Sequence, residues 1–406
     1  MRKYQVAIDS LVGAVTVNLL KYRFGVYHVG LQHKNACLEP AFGYKIDKPM
    51  YFLPASLLLY GCTLVMKLFA VFIAIKLFLR TYPLADPHST TSLCLAFIMS
   101  EVPTMLTSVT GVDIAVIGGS GLYNLDNLKV IGEINPLTPW GYPSDHIVIS
   151  ETPNGTKIAF LARHGRGHYL TPTEVPSRAN IAALKHIGAK AIIAFSAVGS
   201  LRQEIAPRDF VIPDQIIDRT KGIRPFSFFE QGAVGHVSFA DPFSNDLGEL
   251  IYNHRDACPK GVTVHNKKTL VCMEGPAFST RAESNMYRSW GCDVINMSVL
   301  PEAKLAREAE MAYQMVCMST DYDCWKIEEA AVTVEAVVAN LNANAQTAKQ
   351  LLLAVIPALE SVLAAKSLKS VTALENCSAH AVMTSKSKQS PEVIAKLAYI
   401  LPAVSN

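Results

Sequence analysis

From Val112 onward, short runs rich in apolar and β-branched residues alternate with helical stretches, and this alternation limits the fold more than any other feature of the chain. Asp113 to Ile117 reads as a strand ending in Gly118-Gly119-Ser120-Gly121. His146 to Ser150 and Lys157 to Leu161 flank Pro153-Asn154-Gly155 and read as a hairpin. Val175 to His186 reads as a helix stopped by Gly188, followed by the fully apolar strand Ala191 to Phe195 and then by Val211-Ile212 and Gln215 to Ile217. Pro301 to Glu310 is expected to be a helix with proline in its first position, Met315 to Met318 an apolar run, and Glu328 to Leu359 a long helical region interrupted near Pro357. Strands apolar on both faces need helices on both sides, so the expected class is a layered α/β domain with a covered sheet.

Residues 1–98 have a different texture. Tyr51 to Leu79 is almost wholly apolar, and a bilayer-spanning helix needs about 20 such residues. Lys67 and Lys76 interrupt the run, and an interior lysine costs about 2.5–3.5 kcal/mol on insertion scales. Three readings of this leader stand side by side: a membrane anchor, a packed domain, or sequence absent from the working protein. The last is favoured because Met99 opens a short polar lead, 99–111, directly before the first convincing strand. The main α/β domain is placed at 112–360. Residues 361–406, with Lys366, Lys369, Lys386 and Lys388 among Ser, Thr and Ala, are expected to form a partly ordered, peripheral tail with one amphipathic stretch near Val393 to Leu401. Translation from Met99 would give a cytoplasmic protein with access to the nucleus; retention of 51–79 would bring it to a membrane.

Charge excludes one class of partner. Lys and Arg number 37 against 34 Asp and Glu, and they are scattered, so there is no electrostatic footprint for nucleic acid. The 9 Cys form no Cys-x-x-Cys pair and no zinc spacing, and most sit in apolar runs as reduced, buried thiols.

The chemistry gathers at strand exits. Glycines in Gly118-Gly119-Ser120-Gly121 would let backbone N–H groups and the Ser120 hydroxyl converge on an anion, although an ordinary tight strand exit fits the same residues. The segment lacks the third glycine of a dinucleotide fingerprint and the Gly-Lys-Ser/Thr of a Walker loop. Arg163-His164-Gly165-Arg166-Gly167-His168 follows another strand; the arginine fork suits phosphate, with the histidine donating beside it. A zinc pair of His164 and His168 would lack a third ligand, and a solvated basic turn is the plain alternative. Phe195-Ser196-Ala197-Val198-Gly199-Ser200 and Asn296-Met297-Ser298 again put small hydroxyl residues after apolar strands. Each serine alone is more often a cap, but together with Arg163 and His164 they suggest one oxyanion cradle. Thr320-Asp321-Tyr322-Asp323 places two carboxylates at a strand end, suited to capping, to a ligand amine or, if burial keeps one protonated, to proton donation to a leaving base.

These motifs, with Glu274-Gly275-Pro276-Ala277-Phe278-Ser279 and Asp323-Cys324-Trp325, occur in an order that resembles the 5'-methylthioadenosine phosphorylase branch of the trimeric purine nucleoside phosphorylases, over Asp113 to about Pro357. The resemblance implies a phosphorylase/hydrolase-like three-layer fold with a central mixed, twisted sheet flanked by helices. It implies phosphate binding by Ser120, Arg163, His164, Ser196 and Ser298. It implies nucleoside contacts from Ala197, Met297 and Phe278, with Asp321 at N7 of the base and Asp323 toward the 6-amino group. Asp321 and His164 are the candidate catalytic groups. Ser279, Val334 and Val337 would shape an apolar 5' side, although the local sequence by itself reads the two valines, three apart on one helix face, as ordinary core packing.

The resemblance further implies a homotrimer in which His236 serves a neighbouring subunit's site. The reaction expected is phosphorolysis of 5'-methylthioadenosine to adenine and 5-methylthioribose 1-phosphate, with inorganic phosphate as co-substrate and neither metal nor cofactor. Aspartate at position 321, where 6-oxopurine enzymes typically carry asparagine, favours the adenine branch. The alternatives are a 6-oxopurine or broad nucleoside phosphorylase, and a catalytically silent nucleoside-binding protein. Val299-Leu300 after Ser298, and Ile327 after Trp325, depart from the pattern of relatives and suggest thinner hydrogen bonding at phosphate and an altered lid.

Overall fold

The computed structural model describes residues 104–404 apart from 120, 121, 123, 124, 126, 127, 221 and 328–333, and it leaves the side chains of 334–339 and 379 undescribed. The leader, its apolar stretch and Ser120 therefore lie outside the described residues, as do the side chains of Val334 and Val337.

Strand β1 (Val112–Gly118) pairs in parallel with β4 (Lys157–Ala162) on one side and with β5 (Ala191–Ser200) on the other. The expected hairpin is present: β3 (Ile147–Glu151) runs antiparallel to β4, and β2 (Lys129–Ile134) runs antiparallel to β3 at the sheet edge. Beyond β5 the sheet closes on itself. β5 pairs with β8 (Val294–Asn296), β8 with β7 (Val264–Cys272), β7 with β6 (Phe210–Asp218), β6 with β9 (Ala312–Asp321), and β9 returns to β5. The nine-stranded sheet is thus mixed, open at one side and ring-closed at the other. Val211-Ile212 and Gln215 to Ile217, which read as two runs, belong to the single strand β6.

Side chains of a strand alternate between faces, and both faces here are dry. Ile192, Ala194 and Val198 of β5 join one core cluster with Ala115 and Ile117 of β1; Ala191, Ile193 and Phe195 join another with Ile114 and Val116. That division is why these strands are apolar without interruption.

The first face is covered by helices α1 (Ser177–Ile187) and α4 (Val299–Glu308), which contribute Ile181, Leu184, Ile187, Ala303 and Leu305. Gly188 ends α1 in the left-handed region at φ 111, with its N–H and that of Ala189 bonded back to Lys185 and Leu184. In α4 Leu300 is non-helical, so regular turns begin at Pro301, where proline fits because the first N–H needs no partner.

The second face is covered by α2 (Asn245–Asn253) and by α5 (Val334–Ala364), whose Ala348, Leu351, Leu352, Val355, Ile356, Leu359 and Leu363 form one buried stripe at helical spacing. The interruption expected near Pro357 does not occur, and α5 runs through it. A proline inside a helix costs about 3 kcal/mol, and burial of the surrounding stripe offsets that cost. Helix α3 (Arg281–Ser289) starts with a capping box between Thr280 and Glu283.

The C-terminal segment corrects the reading of a peripheral tail. After α6 (Lys369–Leu374), Glu310 accepts bonds from the N–H groups of Asn376 and Ser378 at 3.1 and 2.9 Å. Helix α7 (Pro391–Ala398) then buries Val393 and Leu397, and Ile400 and Leu401 follow them into the same core as β1 and β5. Four apolar anchors among lysines and serines are enough to dock a segment whose average composition reads as solvated.

Candidate active site

Arg163 leaves the end of β4 beside β1, its N–H bonded to the Gly118 carbonyl at 3.0 Å. Its guanidinium is almost wholly buried and held on two sides. Nε and Nη2 donate to the two oxygens of Glu302, each at 2.8 Å, and Nη1 donates to the Phe195 carbonyl at 2.8 Å. Tyr313, also buried, donates its hydroxyl to Glu302 at 2.7 Å. Burial disfavours the charge on Arg163, but the Glu302 carboxylate outweighs it and holds the guanidinium above its ordinary pKa.

His164 is oriented by its other neighbours. Its Nδ1 lies 2.9 Å from the Leu170 carbonyl oxygen, which can only accept, so Nδ1 carries the proton and Nε2 of the neutral ring is an acceptor. Burial and then the charge of Arg163 push its pKa down to about 4. This revises the expectation of a histidine donating beside Arg163, because at neutral pH Nε2 has no proton to give. The His168 ring stacks on it at 4.3 Å between centroids.

The two serines meet, though not at parallel strand ends. Ser196 lies within β5, and β8 runs antiparallel to β5 with Ile295 opposite Gly199, so the chain leaving β8 returns toward Ser196. Ser196 Oγ and Ser298 Oγ are 2.8 Å apart, and the Asn296 amide nitrogen lies 3.2 and 3.3 Å from them. Phe195, which accepts from Arg163, is the residue before Ser196, so Arg163, Ser196 and Ser298 share one place.

On the next strand, β9, Asp321 stands opposite Gly199. One oxygen accepts from the Thr320 hydroxyl at 2.7 Å and the other from the Asp323 N–H at 2.8 Å. Burial raises the Asp321 pKa against both bonds. Asp323 sits in the left-handed region at φ 50, and its Oδ2 is buried with no hydrogen-bond partner among the described residues. Burial, with the neighbouring Asp321 charge adding to it, raises the Asp323 pKa as well. Both buried carboxyls thus have pKa values raised by burial, the direction that favours holding a proton.

Met297 presses its sulfur against Gly275, closer than a Cβ there would allow, and Gly275 has φ 70. Phe278 is half exposed on the same loop, and Ser279 donates to the Met273 sulfur at 3.3 Å. The exposed Ile327 follows Trp325, whose indole N–H donates to the Ser200 carbonyl at 2.8 Å. His236 is not drawn to these groups within the chain: it is exposed, and its backbone N–H donates to Ala381 at 2.9 Å.

Two buried ions escaped the sequence reading. Glu302 is one. Arg224 is the other: it donates to the carbonyls of Met297, Leu300 and Glu274 at 2.7, 2.6 and 2.6 Å and pairs with the Glu274 carboxylate at 3.3 Å, tying the Gly275 loop to the Met297 loop. Neither lies in a periodic pattern that separates it from a surface charge.

With this geometry in place, similarity to known proteins becomes informative. A model described as the phosphorylase superfamily matches residues 113–357. The S-methyl-5'-thioadenosine phosphorylase of Yarrowia lipolytica is 58% identical over 286 residues, covering 68% of this chain and 89% of that protein. The enzyme of the same name from Sclerotinia sclerotiorum is 60% identical over 262 residues, covering 64% and 84%. Among solved structures, a methylthioadenosine phosphorylase sourced from an antarctic soil metagenomic library aligns with a TM-score of 0.67 at 44% identity, over 73% of this chain and all of that one.

Proposed function

The chain belongs to the phosphorylase superfamily, whose model spans more than half of it, and we propose that it cleaves 5'-methylthioadenosine with inorganic phosphate, releasing adenine and 5-methylthio-α-D-ribose 1-phosphate. The observation that carries this reading is the meeting of Ser196, Ser298 and the anchored Arg163 beside the Asp321–Asp323 pair, a donor cradle next to buried acids. Reaction within such a cradle is effectively intramolecular.

Phosphate in the cradle sits beneath C1', and one of its oxygens bonds to C1' as the C1'–N9 bond breaks. The bonding pair leaves with adenine, positive charge grows on the ribose, and the phosphate charge stabilises it. Asp321 stabilises the departing base by giving or sharing a proton at N7, and Asp323 accepts from the 6-amino group. His164, with Nδ1–H fixed on Leu170, accepts a hydrogen bond from a protonated phosphate oxygen at Nε2. Ser120 completes the donors. Ala197 and Met297 border the ribose, Phe278 the purine, and Ser279, Val334 and Val337 the methylthio group. We propose further that the working form is a cytoplasmic homotrimer in which the exposed His236 closes the site of an adjacent subunit.

The test is adenine release by the purified chain, with and without phosphate, with inosine assayed beside 5'-methylthioadenosine. Phosphate-dependent release favouring methylthioadenosine is expected. Faster cleavage of inosine would move the assignment to the 6-oxopurine branch, and tight binding without release would move it to a binding protein. The mass of the native protein in solution tests the trimer.

A further inference from the structure

We infer that Glu302, backed by Tyr313, is the positioning residue for phosphate, acting entirely through Arg163. The inference rests on the phosphorolysis reading and goes beyond it by naming what holds the phosphate donor in place. A guanidinium has five N–H donors. Three of those on Arg163 are engaged inside the protein: Nε and one Nη2 hydrogen on Glu302, and one Nη1 hydrogen on the Phe195 carbonyl. One donor remains on each terminal nitrogen. Because the fork is planar and fixed at two separate points, those two donors have a set direction beside Ser196 and Ser298 before any ligand arrives.

Glu302 is fixed in turn. It sits in the first turns of α4, and its Oε1 accepts from both Arg163 and Tyr313. All three side chains are buried, at 3%, 2% and 2% exposure for Arg163, Glu302 and Tyr313, so a lost partner leaves a buried polar group unsatisfied. Glu302 also cancels the arginine charge. With His164 neutral, the cradle offers directed donors with little net positive charge, and a bound phosphate keeps its own charge available to the ribose cation. Glu302 touches neither reactant in this arrangement. Its effect must appear as phosphate binding.

Wild type, Glu302→Gln and Tyr313→Phe should be compared by adenine release with phosphate and nucleoside varied in turn, by titration with inorganic phosphate alone, and by thermal melting. Loss of a bond to a charged group at a buried site should raise KM for phosphate ~10-fold or more in Glu302→Gln and ~3-fold in Tyr313→Phe, with KM for the nucleoside changed less than ~2-fold. A lowered melting temperature with both KM values unchanged, or an equal rise in both, would overturn the inference and leave the pair a purely structural one. If Glu302→Gln does not fold, Tyr313→Phe decides alone. The phosphate titration needs no turnover, so a wild type that binds phosphate without releasing adenine defeats the reaction assignment while the titration still judges Glu302; a wild type that binds no phosphate defeats both.

Discussion

Gly199 on β5 faces Asp321 on β9 so closely that a methyl group on the glycine would lie 3.2 Å from Asp321 Oδ1 and 3.3 Å from Asp323 Cβ. The backbone at Gly199 is ordinary, so what demands glycine is the close approach of the two carboxyl residues and of Ile295, whose Cγ2 would lie 3.1 Å from that methyl group. Gly199→Ala should cost about 1–3 kcal/mol of stability by overpacking. Because the methyl group would press on both carboxyl residues as well as on Ile295, turnover should fall ~10-fold or more even at temperatures where the variant is fully folded. Melting and kcat measured on the same sample check this; a destabilised variant with wild-type kcat would show that the aspartates tolerate the shift.

Burial raises the Asp321 pKa, the direction that favours proton donation to a leaving base, and asparagine at that position cannot act as an acid. Asp321→Asn should lower kcat for 5'-methylthioadenosine by ~10²–10⁴, in the range of lost general acid catalysis, and should affect inosine less. Parallel assays of the two nucleosides decide the matter, and an equal loss on both would sink the proposed role at N7.

The neutral state of His164 links the cradle to pH. Its pKa is lowered in the fold to about 4 from 6.5, so between those values the unfolded chain binds more protons than the folded one. The contribution is therefore fully present above pH 6.5 and is lost as pH falls toward 4. His164→Asn does not titrate, and its amide can replace Nδ1–H as donor to the Leu170 carbonyl. Melting curves from pH 4 to 7 should show wild type losing stability on the acid side more steeply than the variant; matching slopes would place the titrating group elsewhere.

Glu308 behaves in the opposite sense. Its carboxylate accepts from Phe228 N–H at 2.7 Å and Ser227 Oγ at 2.8 Å, yet burial pushes its pKa up to about 7 from 4.5. Here the folded state holds the extra proton, so stability is full below pH 4.5 and declines as pH rises through 7, with a slope of at most about 1.4 kcal/mol per pH unit. In Glu308→Gln that decline should vanish, so the stability difference between variant and wild type should move in the variant's favour from pH 4.5 to 7. A difference independent of pH would show that the carboxyl is ionised throughout.

Much of the fold was readable because its strands are buried on both faces. Continuous apolar runs such as Ala191 to Phe195 and Met315 to Met318 marked β5 and β9, and Gly188 marked the end of α1, since each depends on local chemistry alone. The ring closure from β5 through β8, β7, β6 and β9 was not readable, because pairing between strands far apart leaves no trace in the periodicity of either. In the site, the small hydroxyl residues and Arg163 stood out by their place after strands. Glu302 and Arg224 did not, because a buried ion is distinguished from a solvated one only by partners that arrive from remote segments: Arg163 and Tyr313 for the first, the Met297 and Glu274 loops for the second.

The same limit hid the C-terminal segment, and Leu397 tests its role. It is fully buried on α7, in one core with Val393, Ile400, Leu401 and residues of β1 and β5. Replacing a buried leucine by alanine removes its transfer free energy and leaves a cavity, so Leu397→Ala should cost about 2–5 kcal/mol. Lys396 is the control: it is partly exposed and pairs with Glu392 at 3.5 Å across one helical turn, an interaction of about 0.3–0.5 kcal/mol. If the segment were peripheral, both alanine substitutions would leave denaturant midpoints almost unchanged. A large shift for Leu397→Ala beside a negligible one for Lys396→Ala would mean that docking of residues 391–401 contributes to global stability, and that deleting them should destabilise the whole domain.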